Sequence, residues 1–575
     1  MEKIFDKTIV KMTLWFFCLL SVACFVSCED MLKTETDHYL NTDGHELNSP
    51  NDTLYSMVGI LRKMQTIADR YVLVGELRGD LLDVTENADM DLQAIHDFDF
   101  GMESKNPYLS SKEYYDIINN CNFFIKRVNE TTSSPKDVME KELAAVTTIR
   151  TWVYMQLILN YGTACYYEDP ILTIAGMNKI KNDPDAWIND LNVLLERVQD
   201  SLWKARTVQS TKGNPAYQGI TNITKAFIPA ALVLGDLFLY TGQPDMAAIQ
   251  YNSYLYSNGI NITGRYLRWG DAGFDSYTIN RNSSEIISSI FSTTENGSGS
   301  QLMTWCYPIE WSNTVAEVKC TYQLKPSKAS MDLWNRQEYA FLPNNVIAHD
   351  SLIYTTGDLR GTFKENYTRP PYASGSLSDS YAYFLVSEGD SLPFIHKYGA
   401  QDGNNYVNQS YIYRAGLVYL RYAEALNRLG KPSLAFAALK YGISNEVLAD
   451  PAKVNPAEVT PTPEYCYFQP SSTSSLFSMG IHSRGSGASQ FNTYYQFPAT
   501  CTTLVDSIQF VDEKICDELA VETAFEGNRF QDLMRFAKIY GPEFLAKRVA
   551  ARRGTVDAIL QAKLMDDKNW YLPKD

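Results

Sequence analysis

Six aromatic residues stand close together in a stretch of the chain that has little helical periodicity. Flat rings can cover the apolar C–H face of a sugar, and the Asn, Gln and Arg residues between them can bond its hydroxyl groups. A peptide could be held with the same groups, and each ring has a place in the core as its alternative. We predict a ligand-binding surface that contains Trp269, Tyr277, Trp305, Tyr307, Trp311 and Tyr322.

A second candidate surface is the most acidic stretch of the chain, residues 79–97. Its densest acidic cluster consists of Asp80, Asp83, Glu86, Asp89 and Asp91. A calcium site is one interpretation, but the spacing is not that of an EF-hand, and a solvated acidic loop fits better. We therefore expect no metal here, and we add Asn87 and Asp89 to the candidate ligand contacts.

The chain lacks the common catalytic and cofactor-binding motifs. The chain has no G-x-S-x-G, H-E-x-x-H, G-x-x-x-x-G-K-[ST] or G-x-G-x-x-G. Its histidines lack metal-ligand spacing and are expected on the surface or in loops; they are His38, His45, His96, His349, His396 and His482. We expect no enzyme activity, no catalytic residue, no cofactor and no metal.

The overall charge argues against one class of partner. The 575 residues include 51 Lys and Arg against 67 Asp and Glu, for a net charge of −16. Such a surface repels phosphate backbones, so we expect no nucleic acid partner. Ten cysteines in this length are too few for a disulfide-based scaffold.

The N-terminus has the features of a secretion signal. Three lysines precede an apolar run, Leu14–Val26, that is shorter than the roughly 20 residues of a membrane span. The run ends at Ser27-Cys28, which resembles the lipobox of bacterial lipoproteins. We predict a signal peptide over residues 1–27, a lipid anchor on Cys28 and a tether over 28–50. Cys24 is the rival anchor, and an ordinary secreted protein is the other alternative.

Helical periodicity dominates the rest of the chain. Amphipathic runs with apolar residues three and four positions apart predict helices over Thr53–Ala68, Ser111–Asn129, Glu140–Gly162, Asp185–Arg206, Thr221–Tyr240, Met246–Asn258, Ile412–Leu429, Ser433–Ser444, Val511–Phe525 and Phe530–Ile539. Long polar-aromatic segments interrupt them. We predict one domain, 51–575, with a mainly α scaffold over about 51–258 and 411–575 and ligand-binding insertions over about 259–410 and 451–503.

Two helical regions repeat each other at a constant offset. Gly242-Gln243-Pro244 and Gly430-Lys431-Pro432 follow similar apolar runs and are each followed by an Ala three positions later. A Gly can end the first helix of a pair, and a Pro is tolerated at the start of the second. The pattern predicts tetratricopeptide-like helix pairs, with two unrelated hairpins as the alternative.

Two C-terminal segments carry a resemblance to a known family. Tyr419–Gly430, YLRYAEALNRLG, and Glu518–Arg535, ELAVETAFEGNRFQDLMR, resemble segments of the RagB/SusD family of outer-membrane nutrient-binding lipoproteins. The resemblance implies a mainly α, SusD-like fold with four helix pairs and a loop-rich ligand-binding part. It also implies an oligosaccharide or peptide ligand, a place on the outer-membrane surface, and a TonB-dependent, SusC-like barrel transporter as partner. Members of the family are not enzymes.

The second segment also has a physical interpretation. Glu522, Phe525, Glu526 and Arg529 recur at helical spacing, and Glu526 could pair with Arg529. The like-charged pair Glu518 and Glu522 needs a cation nearby, for which Arg421 and Arg535 are the candidates. We interpret these charges as buried ion-pair clamps between packed helices rather than as a catalytic site.

The sequence thus predicts a surface lipoprotein that binds an oligosaccharide and delivers it to a barrel transporter. A peptide-binding protein of the same architecture is the first alternative. A lipid-anchored glycosidase is the second, although 67 acidic residues single out no catalytic pair. A tetratricopeptide scaffold for other proteins is the third.

The anchor can be tested directly. Cys28→Ala should abolish metabolic lipid labelling and release the protein from the membrane fraction. The acyl chains provide the attachment, because each buried CH₂ contributes about 0.8 kcal/mol. Cys24→Ala is the matched control and should label normally. Labelling lost in Cys24→Ala and kept in Cys28→Ala would move the anchor to Cys24.

Overall fold

Helices form the scaffold of this protein. The computed structural model describes residues 50–101, 105–130, 139–216, 223–260, 262, 285–293, 300–309, 319–341, 353–362, 382–387, 390–398, 407–468, 479–487 and 495–574. The chain divides into residues 1–52 and a compact unit of residues 53–575. The predicted signal peptide, Cys24 and Cys28 lie outside the described residues.

The described helices, numbered in chain order, range from one turn to six. They are α1 Pro50–Gln65, α2 Ala68–Leu77, α3 Met90–His96, α4 Lys112–Glu130, α5 Glu140–Tyr161, α6 Ile174–Lys181, α7 Leu191–Lys212, α8 Ala230–Tyr240, α9 Pro244–Ser257, α10 Leu302–Cys306, α11 Lys328–Asn335, α12 Ala415–Arg428, α13 Pro432–Lys440, α14 Asn445–Ala449, α15 Pro456–Val459, α16 Ser483–Ser486, α17 Leu504–Glu522, α18 Arg529–Tyr540, α19 Glu543–Ala550 and α20 Ala558–Leu564. The predicted mainly α fold class is confirmed.

The core of the scaffold is built around α5. This helix packs against α4 and α7, and it also contacts α8. Every residue from Ala144 to Tyr161 is buried. The sequence predicted an amphipathic helix with one wide apolar face, but the helix is covered on all sides. Its polar residues can be buried because they bond the backbone of their own helix, as Thr148 does (Oγ1 to Ala144 O, 2.7 Å).

The two predicted helix pairs have the same hydrogen-bonded turn. Gly242 and Gly430 follow α8 and α12 with φ of 74° and 72°, the left-handed conformation that glycine tolerates. In each turn the next residue donates its backbone N–H to the carbonyl five positions back, Gln243 to Phe238 at 2.8 Å and Lys431 to Leu426 at 3.1 Å. The repeat at a constant offset is thereby confirmed for α8–α9 and α12–α13.

Several predicted helix boundaries are wrong, each for a local reason. The helix predicted from Thr221 begins at Ala230 because Pro229 precedes it. The helix predicted from Val511 begins earlier, at Leu504, where Thr503 and Asp506 form a capping box. The stretch Ile412–Arg414 belongs to a strand. Nine described helices lie wholly outside the predicted runs, namely α3, α6, α10, α11, α14, α15, α16, α19 and α20, and α2 shares only Ala68 with one of them.

Short strands connect the insertions to one another and to the scaffold. They are β1 Leu82–Val84, β2 Ala164–Cys165, β3 Trp187–Ile188, β4 Ile286–Thr293, β5 Leu324–Pro326, β6 Glu338–Phe341, β7 Ile353–Thr356, β8 Gly361–Thr362, β9 Ala382–Ser387, β10 Asp390–Ile395 and β11 Val407–Arg414. The sheets have two or three strands, ordered β1-β5, β10-β9-β8, β11-β4, β2-β3 and β6-β7. Only β8–β9 is parallel, among the pairs of the described strands.

A buried ion-pair network fixes the insertions to the end of α17. Glu522 forms ion pairs with Arg414 (Nη1, 3.0 Å), Arg360 (Nη1, 3.1 Å) and Arg484 (Nε, 3.3 Å). Glu518 pairs with Arg360 at 3.3 Å. Burial alone raises the pKa of Glu522, but the three guanidinium groups hold it at about 2. The predicted buried clamps are therefore present.

The partners within these clamps differ from the predicted ones. Arg535 forms an ion pair with Glu424 at 2.7 Å, and Arg421 forms one with Asp236. Neither arginine is therefore the cation that neutralises Glu518 and Glu522. Arg529 pairs with Asp80 at 2.6 Å instead of with Glu526.

The predicted helical face from Glu522 to Arg529 does not form. The chain leaves the helix at Glu522, and Phe525 and Gly527 have φ of 66° and 93°. The carboxylate of Glu76 stabilises this turn, because it accepts the N–H of Gly527 at 2.7 Å. The turn lies so close to α2 that a Cβ on Gly75 would stand 1.8 Å from the carbonyl oxygen of Gly527.

The helix-pair turn can be tested at Gly430. Gly430→Val should lower the free energy of unfolding by more than about 1 kcal/mol, because a β-branched residue is strained at positive φ. The nearest atom to an added Cβ is Leu504 Cδ2 at 4.0 Å, so the cost would come from the backbone and not from a clash. Gly430→Asn is the control and should cost less, since Asn tolerates this conformation. Equal losses in urea denaturation would contradict the left-handed turn.

Candidate functional site

A polar surface lies where the loop after β1 meets the insertion around α10 and β5. We call it the loop surface and define it by Glu86, Asn87, Asp89, Met90 and Tyr108. The first four are exposed and Tyr108 is half-buried. Met90 is 84% exposed, which is unusual for so large an apolar side chain. The surface therefore combines exposed polar side chains with an exposed apolar one.

The loop is anchored to the insertion by backbone carbonyls and side-chain amides. Thr85 Oγ1 donates to the carbonyl of Tyr322, and Asn87 Nδ2 reaches the same oxygen at 3.5 Å. Gln323 Oε1 accepts the N–H of Asp89 at 2.8 Å. Tyr322 has a φ of 48°, a conformation that non-glycine residues rarely adopt and that is often found at functional sites.

A helix start and a short turn complete the surface. Asp89 caps α3 by accepting the N–H of Leu92 at 2.9 Å. Asn106 donates to the carbonyl of Asp91 at 2.8 Å and so holds the turn that carries Tyr108. Burial raises the pKa of Tyr108 to about 12, and the negative charge of Asp89 adds to the rise. The phenol therefore stays protonated and can donate a hydrogen bond to a ligand.

The predicted exposure of Trp305 is wrong. Trp305 is only 6% exposed, and its ring packs edge-on against Tyr108 with centroids 5.8 Å apart. Tyr307 and Tyr322 are also buried, at 1% and 7%. None of the three presents an open face in this structure. The other three rings of the predicted platform, Trp269, Tyr277 and Trp311, lie outside the described residues.

The buried rings form a small core inside the insertions. Tyr322 donates its hydroxyl to the carbonyl of Pro393 at 2.7 Å, and Tyr307 donates to that of His396 at 3.2 Å. Tyr307 also packs on Phe394 with centroids 5.5 Å apart. The apolar run Leu302, Met303, Trp305 and Cys306 was the sequence signal for burial, because it forms one short helix that is buried on most sides.

The acidic stretch is only partly the solvated loop that was expected. Asp80 and Asp83 are buried, and Asp83 accepts from Arg553 Nε at 2.9 Å. Glu86 and Asp89 are exposed. No group of His, Cys, Asp and Glu that could hold a metal ion occurs within the described part of the chain. The expected surface or loop position is wrong for His96, which ends α3 and is 1% exposed, whereas His482 lies in a turn although it is only 2% exposed.

The structure thus brings the predicted residues Asn87 and Asp89 together with Met90 and Tyr108, which the sequence did not single out. An amide, a carboxylate, a phenol donor and an apolar side chain in one exposed place suit the binding of a polar ligand. These groups form an exposed surface on a helix-pair scaffold, and this surface is the candidate binding site.

Comparison with known proteins identifies the fold. Residues 380–571, about a third of the chain, match the model of the SusD family. A SusD superfamily protein from Bacteroides thetaiotaomicron has 16% identity and a TM-score of 0.54, over 91% of this chain and 95% of that one. A SusD homolog from the same species has 15% identity and a TM-score of 0.54, over 92% and 95%.

A SusD-like carbohydrate binding protein from Bacteroides vulgatus is also similar, with 13% identity and a TM-score of 0.50 over 84% of this chain and 83% of that one. A search of curated proteins finds no match. The resemblance to the RagB/SusD family is thereby confirmed, and the chain has the SusD-like, tetratricopeptide-like helical fold.

The burial of Trp305 leads to a stability prediction. Trp305→Ala should lower the free energy of unfolding by about 3–5 kcal/mol, the usual cost of removing a core Trp. Trp203, which is half-buried on α7, is the matched control. Trp203→Ala should cost clearly less in the same urea titration. A similar small loss in both variants would show that Trp305 is not part of the core.

Proposed function

We propose that this protein binds an oligosaccharide at the loop surface and delivers it to a TonB-dependent, SusC-like transporter. The single observation that carries the binding step is that the exposed Asn87 and Asp89 lie beside the half-buried Tyr108 on a SusD-like fold. A solved protein of the same fold is a SusD-like carbohydrate binding protein. Its name supports the ligand class for this chain.

The geometry of the loop surface suits a sugar. The ring of Tyr108 packs at nearly a right angle against the ring of Trp305, so it is held in place while part of it stays open to solvent. A sugar ring can stack on such an aromatic face. The Asn87 amide, the Asp89 carboxylate and the Tyr108 hydroxyl can then bond hydroxyl groups around the sugar rim.

The cellular setting of the proposal comes from the sequence. The apolar run before Cys28 and the family resemblance support a lipoprotein that is exposed on the outer membrane. In this proposal the chain is one domain from residue 51 to 575, with the lipid on Cys28 as its membrane attachment. It has no enzyme activity, and the transporter takes up what the loop surface captures.

A peptide ligand is the second candidate, and Met90 is the observation that favours it. This side chain is 84% exposed beside Asn87 and Asp89. Methionine is flexible and polarisable and adapts to apolar side chains of different shape. A sugar would leave this thioether largely unused, whereas a peptide could cover it.

Binding arrays decide between the two ligand classes. The lipid-free chain that begins at residue 29 should bind members of a glycan array and not of a peptide array. Calorimetry with the best glycan then tests the site. Tyr108→Ala should weaken binding by about thirtyfold, as expected when a central anchor worth about 2 kcal/mol is removed. Asn87→Ala should weaken it less and leave the melting temperature unchanged.

Asn189→Ala is the matched control, since Asn189 is exposed in the turn before α7. It should bind as the wild type does. Wild-type affinity in both Tyr108→Ala and Asn87→Ala would place the ligand elsewhere. Binding to peptides alone would replace the oligosaccharide as ligand.

A further inference from the structure

A cavity of about 530 Å³ lies between α4, the C-terminal end of α5 and the segment that follows α5, residues 163–187. Its volume is in the range of sites that hold drug-sized molecules, roughly 300–1,000 Å³. Its aliphatic lining consists of Leu157, Ile171, Leu172, Ile174, Met177 and Ile180. None of these residues belongs to the loop surface.

The aliphatic rim of this cavity is open to solvent. Leu172 is 67% exposed, Ile174 75% and Met177 46%. Helix α6, which carries two of them, has no buried residue at all. A helix in a folded protein normally buries an apolar stripe against a partner. Here α6 turns apolar side chains toward the cavity without covering them.

The polar side chains of the cavity wall already bond to the protein. Asn119 donates to the carbonyl of Ile171 at 3.0 Å and accepts its N–H at 2.7 Å. Tyr115 accepts the N–H of Cys165 at 2.8 Å. The Trp187 indole donates to the carbonyl of Lys181 at 2.9 Å. These hydrogen bonds stabilise the cavity wall, so the groups that form them are not available to bond a ligand.

The hydroxyl groups of the wall are used in the same way. Tyr161 donates to the carbonyl of Ser110 at 3.0 Å, and Thr163 donates to that of Ile188 at 3.0 Å. Thr173 caps α6 by accepting the N–H of Gly176 at 3.0 Å. A sugar would find few partners for its hydroxyl groups here, and unpaired buried hydroxyls are costly. The cavity is therefore unsuited to an oligosaccharide.

The charges around the cavity are mainly positive, although the chain as a whole carries −16. Lys112, Lys181 and Lys574 belong to the lining and are exposed. No described residue forms an ion pair with any of them. The one acidic residue of the lining, Asp116, already has Lys63 at 3.9 Å. Three ammonium groups beside an apolar cavity are complementary to an anionic head on an apolar body.

We propose that this cavity binds an amphipathic anion, an aliphatic chain with one carboxylate or phosphate head. The chain would cover Leu172, Ile174 and Met177, and the head would meet the lysines at the rim. Burial of the chain provides most of the affinity, and the lysines select for negative charge. This cavity is separate from the loop surface, so the binding of the amphipathic anion and that of the oligosaccharide can be tested independently.

Three probes of equal chain length separate the contribution of the aliphatic chain to the affinity from that of the charged head. Isothermal titration of the lipid-free protein should show saturable binding of dodecanoate and dodecyl phosphate below their micelle concentrations, and weaker binding of dodecan-1-ol. Shortening the carboxylate should cost about fourfold in affinity per methylene. The double variant Lys112→Ala/Lys574→Ala should lose about two- to tenfold for the anions, in line with exposed charge pairs, and nothing for the alcohol.

The aliphatic wall has a matched control. Ile174→Asp should weaken all three probes by about tenfold or more, because it places a carboxylate in the apolar rim. Ile559, 84% exposed on α20 and outside the lining, serves as control, and Ile559→Asp should bind as the wild type does. Melting curves of both variants confirm that they fold.

Three results would overturn the proposal. They are the failure of dodecanoate to bind, equal affinities of Ile174→Asp and Ile559→Asp, and an unchanged preference for anions in the double lysine variant. Glycan affinity of the same variants should be unaltered whichever result is found.

Discussion

The buried network at the end of α17 is the interaction on which the rest of the structure depends. Its acids, Glu518 and Glu522, come from one helix, whereas its cations come from the insertions and from β11. Removing these charges from water costs several kcal/mol for each ion, and only complete pairing offsets that cost. The guanidinium groups of Arg360, Arg414 and Arg484 supply the pairing. The insertions can therefore pack stably only in positions where their arginines contact the carboxylates of Glu518 and Glu522.

The same network reaches the loop surface through a chain of contacts. Glu526 pairs with Lys397 at 2.5 Å, just beyond β10. The residues before it, Pro393 and His396, accept hydrogen bonds from Tyr322 and Tyr307. Tyr322 in turn offers its carbonyl to the loop that carries Asn87. A buried ion pair thus helps to fix the position of the loop that carries Asn87, and it gives the candidate site a rigid support.

Two surfaces with opposite chemistry share this scaffold. The loop surface exposes polar side chains such as Asn87 to solvent, as the proposed recognition of a hydroxylated ligand requires. The cavity beside α6 uses its polar groups internally and leaves aliphatic carbons uncovered. The two surfaces differ in which groups their hydrogen bonds join. Where the donors and acceptors of a wall are already paired within the protein, a ligand can gain only dispersion contacts and interactions with charged groups.

The sequence by itself determined most of the long helices, the paired turns and the presence of buried ion pairs. Those features depend on residues close together in the chain, such as Gly430 with its neighbours, and local spacing shows them. Tertiary structure decided which charges pair, because Arg360 lies 158 residues before Glu518 and no local pattern connects them. It also decided that Trp305 is buried and that Asn87, Asp89 and Tyr108 share one surface. Exposure and long-range pairing depend on how distant segments pack, and that information is not contained in the spacing of residues along a single chain.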